Sequence, residues 1–315
     1  MTPDVRPVGI SCALRRALSK CIFADQDRRD TLCWHLEPTQ LAVYAKGGPT
    51  KLVFSVRELL DAHEDFCIVN IDLKNAFNCV LRAPLLKEVL AVPELHHLAP
   101  FLHSLLAPKS PIVVGSGEFM QPADFFSKEG VQQGSVEGPV AFAIAISRSL
   151  KQLDAELKAA GNGCARAGAD DVTAVGPPAA VFAAVARFKD QVKRDFNLDM
   201  NLTKTVCYAR AGLAAELDAH RGSVPLGCVT DSEGVLHHGV TVYGVPIGSK
   251  EYILSTLSRK CDSIARTSHK LTALLGPSHL QELWTLTRVS TNRKGSYFAR
   301  HCLLEDSAAF VCRAL

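Results

Sequence analysis

The stretch GADDVTAVG, residues 168–176, places two aspartates side by side among small and apolar residues. Adjacent carboxylates repel each other and resist burial, so the pair needs a positive charge nearby. The stretch lies between two segments of helical periodicity and is bounded by Gly163 and by Gly176, which two prolines follow. This arrangement predicts a strand–turn–strand hairpin with Asp170 and Asp171 at its tip.

A third acid ends another candidate strand. FCIVNID, residues 66–72, is apolar and β-branched and finishes on Asp72, which predicts a buried strand. If this strand neighbours the hairpin, three carboxylates meet at one edge of a sheet. Such a cluster is costly unless a divalent cation neutralises it, and oxygen ligands of this kind favour Mg²⁺. A solvated turn without a metal is the more common state of an isolated Asp-Asp pair.

The remaining segments show either the periodicity of a helix or that of a strand. RAPLLKEVL (82–90), the stretch 138–161 and PPAAVFAAVARFKDQVKRDF (177–196) are predicted to be helices. PIVVGSGEFMQ (111–121) is predicted to be a hairpin that turns at 115–117, and the chain beyond Tyr252 is predicted to be helical and basic. This order of elements is typical of an α+β fold.

The bulk composition narrows the class of protein. With 315 residues, 47% of them hydrophobic and 21% charged, the chain has enough material for one large or two ordinary domains. Its eleven cysteines form no Cys-x-x-Cys pair, which disfavours a disulfide framework or a zinc ribbon. The longest apolar run, 140–146, is too short to span a membrane, and from its first residues we expect no secretory signal. We therefore expect an intracellular protein of the nucleus or cytoplasm without a membrane partner.

Five motifs carry a resemblance to a known family. They are DLKNAFN (72–78), GVQQGSVEGP (130–139), GADDV (168–172), LDMNLTKT (198–205) and YGVPIGS (243–249). In this order they resemble motifs A to E of the palm of reverse transcriptases from retroelements, of the non-LTR and group II type. RPVGIS (6–11) is similar to the fingers segment of the family. The resemblance implies a right-hand polymerase fold, with an antiparallel palm sheet packed on helices, partial fingers and a helical thumb-like C-terminus.

The same resemblance implies a division of the chain. We expect these boundaries: 1–65 partial fingers, 66–82 palm with motif A, 83–128 an insertion between fingers and palm, 129–250 palm with motifs B to E, and 251–315 a thumb-like region.

Four residues are implied to act in catalysis. Asp72 and Asp170 resemble the principal metal ligands of the family, and Asp171 resembles the third acid of the site. Lys204 matches the motif D lysine that protonates the departing pyrophosphate as a general acid. An ordinary surface lysine is nearly as good an interpretation of Lys204.

Four further residues are implied to bind the nucleotide. Arg6 matches an arginine that grips the triphosphate, and guanidinium suits phosphate geometry. Phe77 lies where the family keeps an aromatic gate under the sugar, although a core phenylalanine is the alternative. Gln133 and Gly134 match the nucleotide-pocket pair of motif B, although a helix-entry turn is the alternative. Residues 244–248 resemble the primer-grip turn, or they form a plain hairpin.

These assignments imply a function. We expect template-directed deoxynucleotidyl transfer by a two-metal mechanism, with Mg²⁺ or Mn²⁺ as cofactor. The expected partners are an RNA or DNA template with a primer, and a dNTP.

Two departures from the motifs, together with the abbreviated fingers, favour a second hypothesis. Gly168 stands where the family keeps an aromatic residue, and we expect the missing ring to loosen the turn. Restoring the ring with Gly168→Tyr is then expected to raise polymerisation in an otherwise competent site. Glu137 adds a negative charge near a pocket meant for a triphosphate. The second hypothesis is therefore a catalytically silent remnant, or a co-opted nucleic-acid-binding protein. An RNA-directed RNA polymerase is disfavoured by Phe77, where that family has a second aspartate, and by Ala169 before the acids.

Overall fold

The computed structural model describes residues 12–114 and 121–302. The helices are α1 Ala13–Ala24, α2 Gln26–Leu36, α3 Gly48–Ala62, α4 Ala76–Cys79, α5 Arg82–Ala91, α6 Ala99–Leu106, α7 Glu137–Ala159, α8 Pro178–Phe196, α9 Ala214–Arg221, α10 Lys250–Leu275, α11 Leu280–Leu286 and α12 Asn292–His301. The strands are β1 Cys67–Ile71, β2 Ser110–Val114, β3 Gln121–Ser127, β4 Cys164–Gly168, β5 Asp171–Gly176, β6 Val206–Ala209, β7 Cys228–Thr230, β8 Leu236–Val242 and β9 Val245–Gly248.

A four-stranded antiparallel sheet lies at the centre of the fold. Its strand order is β4–β5–β1–β6, so the predicted buried strand pairs directly with the predicted acidic hairpin. Two smaller antiparallel sheets join β2 to β3 and β7 to β8 and β9. The predicted turn at 115–117 lies outside the described residues. The α+β prediction, with an antiparallel sheet packed on helices, is confirmed.

The central sheet is buried on both faces. Successive side chains of β1 show this, because they lie alternately in two different apolar cores. Val69 and Ile71 lie in one apolar core with Phe142 of α7. Ile68, which points to the other face, lies in a second core with Val240 of β8. Successive side chains of a strand point to opposite faces, so this two-sided burial is expected of a near-continuous apolar run.

The two helices on the first face follow their sequence signals. Ser135 precedes α7, and its Oγ accepts a hydrogen bond from the backbone N–H of Gly138 at 3.0 Å, which caps the first turn. The apolar stripe predicted for α8 is buried throughout; its members are Val181, Val185, Phe188, Val192 and Phe196. Asn197 ends α8 in the left-handed region at φ 57°.

From β9 to residue 302, where the described residues end, the chain is mainly helical, as predicted. Ser249 caps α10 by accepting a hydrogen bond from the N–H of Tyr252 at 3.1 Å. In the part of the chain that the structure describes, no helix combines the length and the apolar character needed to cross a membrane.

His35 couples the fold to pH. It lies on α2 with 9% of its surface exposed, and its Nε2 is 3.2 Å from Ser147 Oγ on α7. Burial, together with the positive charge of Lys151, lowers the pKa of His35 from 6.5 to about 4. The folded state therefore holds a neutral imidazole where the unfolded chain takes up a proton.

We expect the free energy of unfolding to fall as the pH drops from about 6.5 to about 4, because the unfolded state binds the extra proton in this window. The contribution of His35 is present in full above pH 6.5 and amounts to up to about 3 kcal/mol. His35→Gln should flatten this fall in urea unfolding, while His103→Gln, at an exposed position, should keep the wild-type profile. An equally steep fall in both variants would contradict this assignment.

Candidate active site

The acidic hairpin has the form that the sequence predicts. Gly168 pairs with Asp171 across β4 and β5, so Ala169 and Asp170 alone form the turn. Ala169 adopts a positive φ of 63°. This tight turn places Asp170 at its tip and Asp171 at the first position of β5.

Asp72 reaches the same edge of the sheet. Ile71 pairs with Val172, and one further step of this register brings Asp72 opposite Asp171. Residues opposite each other in an antiparallel pair share a face. That face is the one on which Ile68 lies, towards the second core. Asp72 and Asp171 are thus neighbours on one face at one sheet edge.

A loop from 199 to 205 holds Asp72 through its backbone. The N–H of Asn201 donates to the carbonyl of Asp72 at 2.8 Å, and the N–H of Asp72 donates to Thr205 Oγ1 at 3.2 Å. Lys204 lies between these two anchors on the same loop. Thr205 is fully buried. The sequence analysis did not predict this contact of Thr205 with Asp72. The only feature in the sequence that pointed to Thr205 was its position next to Lys204.

A cavity of about 520 Å³ opens between the ends of β1 and β5 on one side and β8 on the other. Asp72, Asp171 and Lys204 all line it. Asp170 is not among its lining residues, but it lies close enough to Tyr243 of the cavity wall to affect that residue's pKa. The structure therefore brings two of the three predicted acids together with the predicted general acid, and keeps the third at the adjoining turn.

Tyr243 is the residue that sequence analysis missed in this cavity. It forms the two-residue turn between β8 and β9 with Gly244, and both have positive φ, 48° and 86°. Its backbone carbonyl accepts a hydrogen bond from Tyr297 Oη at 2.7 Å. Burial raises the pKa of Tyr243, and the carboxylates of Asp171 and Asp170 raise it further. The turn predicted at 244–248 is thus a hairpin whose aromatic residue lies beside the acids.

The ring of Tyr243 lies against Gly168. A Cβ atom at Gly168 would come within 2.6 Å of Tyr243 Cδ2 and closer still to Cε2. The expectation that Gly168 leaves the acidic turn loose for lack of a ring is wrong, because a ring from β8–β9 already fills that space. Gly168 is the residue that lets Tyr243 approach.

The expectation that Glu137 adds a free negative charge near the nucleotide pocket is also wrong. Glu137 is 2% exposed at the start of α7, and its Oε1 accepts a hydrogen bond from Arg15 Nε at 2.9 Å. Its Oε2 accepts one from Ser19 Oγ at 2.9 Å. The carboxylate is therefore paired with α1 and presents no free charge to a nucleotide pocket.

The predicted nucleotide-binding residues have mixed placements. Gly134 has a φ of 95°, which glycine adopts readily, and it precedes α7 together with the half-buried Gln133. Phe77 is 9% exposed and stacks on Phe142 with ring centroids 4.7 Å apart. This placement favours the core alternative for Phe77, whose role as a sugar gate stays a prediction. Arg6 lies outside the described residues.

The donors at the acidic edge are carboxylate oxygens. Asp72, Asp170 and Asp171 offer oxygen donors, which suit Mg²⁺, an ion that usually takes one or two protein carboxylates and completes its shell with water and phosphates. Among the residues described, no group of three or more His, Cys, Asp or Glu side chains is placed to hold a metal ion by itself. Within the described ranges, the edge thus offers carboxylate oxygens but forms no cage for a structural ion.

One comparison with known proteins agrees with the motifs. The family model described as "Reverse transcriptase (RNA-dependent DNA polymerase)" matches residues 2–245. Among solved structures, the chain is similar to apo telomerase from Candida tropicalis truncated from the C-terminal domain, with 14% identity and a TM-score of 0.43 over 64% of this chain and 44% of that one.

Two telomerase complexes with a TWJ fragment of telomeric RNA are also similar. The one from Candida albicans has 12% identity and a TM-score of 0.47, and the one from Candida tropicalis has 11% and 0.48. Each match covers 95% of this chain and 52% of the other, so the chain spans about half the length of these structures. No curated protein matches.

Proposed function

The chain belongs to the reverse transcriptase (RNA-dependent DNA polymerase) family, and we propose that it is the polymerase domain of a retroelement, which adds deoxynucleotides to a primer along an RNA or DNA template. The observation that carries this proposal is the shared cavity of Asp72, Asp171 and Lys204. Two carboxylates and a lysine in one cavity would supply what phosphoryl transfer needs, namely anchors for cations and a proton donor for the leaving group.

Each of these side chains has a chemical role in the proposal. Asp72 and Asp171, with Asp170 from the adjoining turn, supply the oxygen ligands for Mg²⁺ or Mn²⁺. When bound, two such ions stabilise the attacking and the leaving oxygens of the transfer. Lys204 holds the proton that the departing pyrophosphate takes up. Thr205 and Asn201 keep the loop of Lys204 against Asp72.

The nucleotide pocket and the domain division remain part of the proposal. Arg6, Gln133 and Gly134 would contact the dNTP, while the role of Phe77 as a sugar gate stays a prediction beside its packing on Phe142. The ranges 1–65, 66–82, 83–128, 129–250 and 251–315 would act as partial fingers, palm, insertion, palm and thumb-like region. Because the template and dNTPs are intracellular, we expect the protein to act in the nucleus or the cytoplasm.

Primer extension tests the proposed function. The full chain is incubated with an oligo(dT) primer on poly(rA), dTTP, and either Mg²⁺ or Mn²⁺. We expect the primer to lengthen, and only when dTTP and a divalent cation are both present. No lengthening by a folded chain that still binds the primer–template would overturn the proposal in favour of a silent nucleic-acid-binding protein.

Lys204→Met should separate the chemical step from binding. Loss of a general acid should lower kcat by about a hundredfold, with KM for dTTP nearly unchanged. Lys87→Met, on the exposed side of α5, is the matched control and should behave as wild type. An unchanged kcat in Lys204→Met would assign Lys204 to the surface.

A further inference from the structure

The acidic turn has a conformation that its own residues do not favour. Ala169 lies at φ 63°, in the left-handed region that residues with a Cβ atom rarely adopt. Only Ala169 and Asp170 connect β4 to β5, so the hairpin has no spare residue to relieve this conformation. Such a conformation persists when the surrounding structure holds it in place.

Gln40 supplies the two hydrogen bonds that hold Ala169. Its Oε1 accepts from the Ala169 N–H at 2.8 Å, and its Nε2 donates to the Ala169 carbonyl at 3.0 Å. Exchanging the amide oxygen and nitrogen would set donor against donor, so the two bonds define the orientation of the amide. The side chain is fully buried. One side chain thus binds both backbone polar groups of the residue before Asp170.

The segment that carries Gln40 is itself anchored to the hairpin. The N–H of Gln40 donates to the carbonyl of Leu36, the last residue of α2, at 2.9 Å. On either side of Gln40, the N–H of Leu41 donates to the Ala167 carbonyl at 2.8 Å, and the N–H of Ala167 donates to the Thr39 carbonyl at 2.6 Å. The backbone that carries the Gln40 side chain is therefore hydrogen-bonded to β4, the strand that leads into the turn.

We propose that Gln40 is a positioning residue for the acidic turn: by fixing both polar groups of Ala169, it sets the place of the Asp170 and Asp171 carboxylates. Its effect on catalysis rests on the proposed function, whereas its effect on the rigidity of the turn does not. A misplacement of about 1 Å at a reacting centre lowers a rate by roughly a hundredfold.

Amide hydrogen exchange tests the effect on rigidity. Gln40→Met roughly keeps the side-chain volume and removes both hydrogen bonds to Ala169, together with the one that Oε1 accepts from the Ala42 N–H at 3.3 Å. We expect the Ala169 amide to exchange at least about ten times faster in this variant, which corresponds to the loss of one hydrogen bond. The core amides of β1 should change less than that of Ala169. Leu32→Ala, at a fully buried position on α2, is the control that weakens the fold without touching the turn. It should speed exchange in the core of the sheet without a selective effect at Ala169.

Primer extension tests the effect on catalysis. We expect Gln40→Met to lower kcat by about a hundredfold while KM for dTTP stays within about threefold. Adding Ala169→Gly should recover part of kcat, since glycine adopts positive φ without help. The same addition should not help Leu32→Ala.

Either of two results would overturn the positioning role of Gln40. One is unchanged exchange of the Ala169 amide in Gln40→Met. The other is a loss of kcat no greater than that of Leu32→Ala. If the wild-type chain extends no primer at all, the proposed polymerase function fails, and the exchange experiment still decides the role of Gln40.

Discussion

Asp72→Asn should lower the rate of single-nucleotide incorporation by about a thousandfold, because the transition state loses a carboxylate that anchors a cation. The structure supports this expectation by placing Asp72 opposite Asp171 at one sheet edge, in the same cavity as Lys204. Single-turnover primer extension measures the effect without interference from product release.

Asp65→Asn is the matched control for this change. Asp65 is exposed just before the other end of β1, so its substitution alters the formal charge equally but leaves the acidic edge intact. We expect wild-type rates from it. Asp72→Asn should also unfold at the same or a higher urea concentration than wild type, because it removes repulsion between like charges. Equal rates in the two variants would contradict the role of Asp72.

Gly168→Tyr should lower the free energy of unfolding by about 3 kcal/mol, since the new side chain must displace the ring of Tyr243. This outcome is the opposite of what the motif comparison alone suggests. Primer extension should fall with stability rather than rise. Urea unfolding, followed by fluorescence or circular dichroism, measures the change.

Substituting Tyr243 by glycine, alone and together with Gly168→Tyr, tests whether the side chains at these two positions occupy the same space. Tyr243→Gly removes a half-buried ring and should cost about 2 kcal/mol. The double variant Gly168→Tyr/Tyr243→Gly should be clearly more stable than the sum of the two losses predicts, with a coupling of about 2 kcal/mol. Strictly additive losses would show that the ring of Tyr243 does not lie against Gly168 in solution.

Much of the fold was predictable because its signals are local. The apolar alternation of β1, the turn signals around the hairpin and the stripe of α8 each lie within one short segment, and all three predictions are confirmed. Asp72 and Asp171 come together only because β1 lies next to β5 in the sheet. The sequence did not show that these two strands are neighbours. The order of the elements followed from periodicity and turn signals, and the family motifs implied the polymerase fold.

The supports of the site were not predictable, because they come from distant segments. Gln40 binds Ala169 across 129 positions of the chain, and glutamine has no sequence signature for such a contact. Tyr243 fills the space over Gly168 from a separate sheet. In the sequence, neither residue stands out from an ordinary buried or turn residue. Only the tertiary structure shows what each of them contacts. Phe77 illustrates the converse: its motif position suggested a gate, and its packing on Phe142 favours the core.

The most direct measurement of the central claim is Mn²⁺ binding at the acidic edge. Electron paramagnetic resonance reports the free Mn²⁺ that remains with the full chain, a primer–template ended by a dideoxynucleotide, and the next complementary dNTP. We expect the wild-type chain and Asp65→Asn to bind Mn²⁺ with the same affinity, and Asp72→Asn and Asp171→Asn to bind at least about tenfold more weakly, because each loses an oxygen ligand. Equal Mn²⁺ affinity in all four proteins would show that these carboxylates hold no catalytic cation.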